Sequence, residues 1–107
     1  MSTKGDNPVA VALHLLISSR VQGVGFRYAL ADKARSRKLR GWVRNRRDGC
    51  VEAIVAGPAA DVDAIVAWSR CGPAAASVTG IETAAADSDF AAFDAKFDAG
   101  FYVVPTI

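Results

Sequence analysis

The chain has one histidine, one methionine and two cysteines among its 107 residues. A single histidine excludes a paired-histidine metal site and leaves no obvious acid/base pair. Cys50 and Cys71 are too far apart for a Cys-x-x-Cys motif, and two thiols cannot staple a domain of this length. Long apolar runs are also missing. The longest, residues 9–17, contains His14 and falls far short of the roughly 20 residues that a membrane span needs. It is a poor secretory signal as well, because Asp6 precedes it and Ser18-Ser19-Arg20 is no small-x-small cleavage site. A cytoplasmic protein with reduced thiols is therefore expected. The composition is 51% hydrophobic, and 21 of those residues are alanine. The remainder suffices for one modest core and is too much for a disordered chain. The length fits one domain.

Net charge is only +2, but the charges are segregated. Residues 20–47 hold ten of the thirteen Lys and Arg and a single acid, Asp32. Such a segment is either a solvated helix face or a surface that attracts anions, and small phosphates and nucleic acid both fit the second description.

The pattern divides the chain into three parts. Residues 1–8 are a polar, flexible N-terminal segment, residues 9–97 form the domain, and residues 98–107 are an apolar C-terminal extension. Residues 9–17 alternate as a strand, with Val11, Leu13, Leu15 and Ile17 on one face. A loop with two glycines follows. Residues 26–37 read as a helix with Phe26, Ala29, Leu30 and Ala34 on one stripe. Residues 42–45 and 50–56 are strands joined through Asp48-Gly49, a strong hairpin signal. Gly57-Pro58 opens a second helix whose inward stripe is Val62, Ile65, Val66 and Ser69. Cys71-Gly72-Pro73 ends it. Residues 78–86 form a fourth strand and residues 93–97 a short final one. The order β-α-β-β-α-β plus a short strand predicts an α+β ferredoxin-like sandwich, with two helices on one face of an antiparallel sheet.

Chemistry concentrates after the first strand. Val21, Gln22, Gly23, Val24, Gly25 and Phe26 form a strand-to-helix turn able to aim successive backbone N–H groups at one point. The helix N-terminus adds unpaired donors and partial positive charge. Arg27 in the first helical turn opposes that dipole, which makes sense if an anion sits beside it; a tight turn is the plainer alternative. Asn45, near the far end of the second strand, lies at the same end of the sheet, because the first two strands of a split β-α-β unit run parallel. No Walker lysine follows the loop. An arginine, an amide and backbone donors suit a phosphate carried on a carboxyl group. Its leaving carboxylate has a pKa of roughly 4 and needs little acid assistance.

The segment Arg20-Val21-Gln22-Gly23-Val24-Gly25-Phe26-Arg27 resembles the phosphate-loop signature of the acylphosphatases. Gly41-Trp42-Val43-Arg44-Asn45, followed by Asp48-Gly49-Cys50-Val51-Glu52, resembles their second signature. The resemblance implies hydrolysis of acyl phosphates to carboxylate and phosphate, with Arg27 binding phosphate, Asn45 positioning water and residues 21–26 supplying N–H donors. It implies no metal and no organic cofactor. The partners it implies are an acyl phosphate substrate and inorganic phosphate as product and inhibitor. A monomer is expected, with no membrane association and nucleic acid disfavoured. Three residues depart from the family pattern. Ser19 stands where glycine is usual just before the loop, and a positive φ there would cost of order 1 kcal/mol. Lys38, within Arg37-Lys38-Leu39, replaces the glycine of a usual Leu-Gly-Leu at the end of the first helix, a modest cost to stability. Ser69 stands at a usually apolar place. Two other readings fit the same fold: a non-catalytic anion- or RNA-binding module, and a regulatory domain like that of larger carbamoyl-transfer proteins. His14, Trp42 and Trp68 read as packing residues and Glu52 as a solvent-facing strand residue.

Overall fold

Alternating aliphatic residues build the strands, and two short amphipathic segments cover one side of them. The computed structural model describes residues 10–19, 25–73, 78–86 and 100–106. In chain order the elements are β1 (Ala10–Ser19), α1 (Phe26–Ser36), β2 (Arg40–Asn45), β3 (Cys50–Pro58), α2 (Ala59–Ser69), β4 (Val78–Ala85) and β5 (Phe101–Val103). The sheet order is β4-β1-β3-β2-β5. β3 pairs antiparallel with both β1 and β2, so those two strands run parallel to each other. β4 is antiparallel to β1, and β5 is parallel to β2.

The sheet is thus mixed, not purely antiparallel as expected. The expected final strand over residues 93–97 lies outside the described residues. The strand beside β2 is formed instead by Phe101–Val103, inside the segment read as an extension. It has the aromatic and β-branched composition that an edge strand favours, and Phe101 is buried.

α1 packs on β2 and β5, and α2 on β1 and β3. The core between them contains Leu15, Ile17, Val43, Val51, Ala53 and Val55 from the sheet, Phe26, Leu30 and Ala34 from α1, Val62 and Ile65 from α2, and Phe101. Each fully buried aliphatic side chain contributes about 1.5–3 kcal/mol by leaving water. Gly41 is required in this sheet. Its φ is 135°, and a Cβ there would run into the backbone carbonyl of Ile54.

Helix ends account for two of the three family departures. Lys38 has φ 58°, the one non-glycine residue with positive φ among the described residues. It closes α1 as a Schellman cap: Lys38 N–H donates to Arg35 O and Leu39 N–H to Ala34 O, at 3.0 and 2.9 Å. Ser19 ends β1, paired with Val78 just past a register shift. In α2, Val62, Ile65 and Ser69 face inward. Ser69 Oγ is fully buried and has no hydrogen-bond partner among the described residues. A buried orphan hydroxyl costs more than its methyl replacement. Ser69→Ala is therefore expected to raise stability by about 1 kcal/mol, read as a higher midpoint in urea at unchanged slope.

Neither cysteine is in a disulfide; Cys50 is half-buried and Cys71 exposed. Among the described residues, no helix is long and apolar enough to cross a membrane.

Candidate active site

The helix-covered face of the sheet ends in one lateral row. Ile17 pairs with Val51, and Val51 with Asn45. With β3 between them, Ile17 and Asn45 stand roughly 10 Å apart, two strand spacings. Asn45 is the last residue of β2 and is only 8% exposed. Its amide makes no hydrogen bond to another described residue.

α1 begins at this same end. At its other end, Arg35 Nε and Nη2 donate to Phe101 O at 3.1 and 2.9 Å, and Phe101 pairs with Gly41 near the start of β2. The helix N-terminus is therefore directed toward the end of β2. Gly25 is the N-cap, with φ 83° and ψ 14°, and its carbonyl accepts the Ala29 N–H at 2.9 Å. Among the described residues no side chain caps the helix, and no acid lies in its first turn; that turn offers N–H donors and a positive partial charge to an acceptor. Phe26 anchors the turn. Its ring is buried and sits 5.4 Å from that of Trp68, centroid to centroid. Arg27 is half-buried, with its guanidinium carbon 5.3 Å from the Tyr28 ring centroid.

Of the residues singled out in the sequence, Gly25, Phe26, Arg27 and Asn45 are thus brought to one end of the sheet. Val21, Gln22, Gly23 and Val24 lie outside the described residues.

The hairpin after Asn45 is tightly held. Arg46 N–H donates to Cys50 O at 2.8 Å, and Gly49, with φ 94°, donates to Arg46 O. Asp48 accepts the Cys50 N–H at 3.0 Å and Arg46 Nε at 3.1 Å. The Cys50 amide, helped by the Arg46 charge, holds the Asp48 carboxyl below the usual carboxylate range.

The sheet face without helices carries a cluster that the sequence reading missed. Glu52, expected to face solvent, is 7% exposed. The cause is its place on β3, the middle strand of five. One oxygen accepts Arg44 Nε at 2.8 Å and lies 2.7 Å from Nη2 of the same guanidinium. The other accepts His14 Nε2 at 2.6 Å and lies 3.9 Å from Arg46 Nη1. Burial pushes the Glu52 carboxyl up, but the hydrogen bonds from His14 and Arg44 and their charges outweigh it, so it ends below its ordinary value of 4.5. Its pairing stabilises the fold above that ordinary value and is lost as pH falls through the lower folded one. The Arg44 guanidinium also lies 4.6 Å from the centroid of the Trp42 ring. Period-two alternation already placed His14 apart from the core residues of β1. Only the register shows that Glu52 lies opposite Arg44 and beside Leu16, next to His14.

Comparison with known proteins now decides the family. Residues 13–98 match the Acylphosphatase family model. The chain belongs to the acylphosphatase family. It is 48% identical over 91 residues to acylphosphatase 2 of Ralstonia nicotianae, covering 85% of this chain and 90% of that one. An acylphosphatase of an Azoarcus species is 50% identical over 90 residues, covering 83% and 91%. The crystal structure of the Bacillus subtilis acylphosphatase superposes with a TM-score of 0.75 at 33% identity, covering 88% of this chain and 98% of that one. The acylphosphatase fold is therefore the α+β ferredoxin-like sandwich expected from the element order, while β5 lies beyond the residues that the family model matches.

Proposed function

We propose that the protein hydrolyses acyl phosphates to a carboxylate and inorganic phosphate, with Arg27 and the N–H donors of residues 21–26 holding the phosphate and Asn45 orienting the attacking water. The observation that carries this reading is the convergence, at one end of the sheet, of an acid-free helix N-terminus, Arg27 in its first turn and the buried Asn45.

The chemistry suits these groups. The water oxygen forms a bond to phosphorus as the bond from phosphorus to the acyl oxygen breaks. The bonding pair leaves with a carboxylate whose conjugate acid has a pKa of roughly 4, so no general acid is needed. The water's proton passes to a phosphate oxygen of the substrate. Charge in such a loose transition state sits on the peripheral oxygens, where a guanidinium and fixed N–H dipoles stabilise it. Holding the water in line lowers the entropic part of the barrier. The single histidine of the chain takes no part in this scheme, because it lies on the opposite face bound to Glu52.

The test is the loss of benzoyl phosphate followed by ultraviolet absorbance, with inorganic phosphate as competitor. Turnover that phosphate inhibits competitively is expected. A folded sample without turnover overturns the reading.

A further inference from the structure

We propose that Glu52 is a positioning residue for Asn45, strapping the end of β2 to β3 and β1 from the face opposite the active site. The inference rests on the reading that Asn45 orients water.

The end of β2 needs such a strap. β2 pairs with β5 only over Gly41–Val43, and the last bond on that side runs from Val104 N–H to Val43 O. Among the described residues, Arg44 and Asn45 are therefore laddered on one side alone, to Glu52 and Val51 of β3. Asn45 is also the last rung before the chain leaves the sheet for the hairpin. Free ladder ends open most easily, and a displacement of about 1 Å at a positioning group costs up to about 100-fold in rate.

Glu52 counters this at the right place. Its carboxylate accepts a hydrogen bond from Nε of Arg44, the residue immediately before Asn45, whose Nη2 lies 2.7 Å away, and one from His14 of β1. The Trp42 ring lies beneath the same guanidinium, which removes its remaining freedom. Three adjacent strands are fastened through one buried carboxylate. Because Arg44 and Asn45 project to opposite faces, fixing the side chain of one fixes the backbone that aims the other. Arg46, 3.9 Å from Glu52, extends the same hold to the first hairpin residue.

The experiment compares kcat, KM and phosphate inhibition for the parent, Glu52→Gln, Asn45→Ala and the double variant, each assayed well below its melting temperature. Glu52→Gln is expected to lower kcat by about tenfold while KM and phosphate inhibition stay within about twofold, because the phosphate-binding end is untouched. In the Asn45→Ala background it should cause no further loss of kcat, the signature of a residue acting through Asn45. Parental kcat in folded Glu52→Gln, or losses that multiply in the double variant, overturns the inference. If Glu52→Gln does not fold, Arg44→Gln replaces it under the same criteria, since it cuts the strap on β2 and leaves the bond from His14 to Glu52 in place. A parent without turnover, or Asn45→Ala at the parental rate, overturns the proposed function and this inference with it.

Discussion

Replacing Arg27 with alanine is expected to remove turnover of acyl phosphate by about 10³-fold or more, together with inhibition by inorganic phosphate, while the fold survives. An arginine that stabilises a transferring phosphoryl group contributes on the order of 10³–10⁵ in rate. The fold does not depend on this side chain. Arg27 is half-buried at the helix surface, and among the described residues its guanidinium meets the exposed ring of Tyr28. Asn45→Ala should give a different signature. An in-line water lost from its holder costs about 10²-fold, and that loss should fall on kcat with phosphate inhibition retained. Asn45 makes no side-chain bond to another described residue, so its removal leaves no orphaned partner in the sheet. Circular dichroism melts alongside initial rates separate chemistry from folding. Parental rates in either folded variant would remove that residue from the mechanism.

These assignments were legible in the sequence because they sit in local patterns. Gly25 before an apolar helical stripe, and Asn45 before an Asp-Gly turn, fix where a helix starts and a strand ends. Parallel β1 and β2 then bring the two together, a consequence of topology rather than of any one contact. The α2 stripe of Val62, Ile65, Val66 and Ser69 is equally local; three of the four are buried and Val66 is half-buried. What escaped the reading depends on partners far along the chain. Glu52 looks exposed by alternation, yet β3 is flanked on both sides, so its uncovered face is buried too. Its partners His14 and Arg44 are 38 and 8 residues away, and only the register of β1 and β2 against β3 joins them. β5 escaped for a related reason. Three residues are too few to show a period, and what makes them a strand is the open edge of β2 and the apolar side of α1.

That dependence makes Phe101→Ala the most damaging single change expected outside the active site. Phe101 is 3% exposed, lies opposite Gly41, and belongs to the core cluster with Leu39 and Val43. Its carbonyl also receives both donors of Arg35, tying the last turn of α1 to the sheet edge. Truncating a buried phenylalanine costs about 3–5 kcal/mol, a large share of the 5–15 kcal/mol that holds a typical domain folded. At this chain length each kcal/mol moves the melting temperature by about 4–8 °C, so a fall of well over 10 °C is expected. Below its transition the variant should still turn over substrate. β5 supports β2 only as far as Val43, and the rungs that carry Arg44 and Asn45 belong to β3. Calorimetry with kcat measured at low temperature tests both halves. An unchanged melting temperature would remove β5 from the core, whereas loss of kcat in the folded variant would mean that the edge strand, and not β3 alone, sets the position of Asn45.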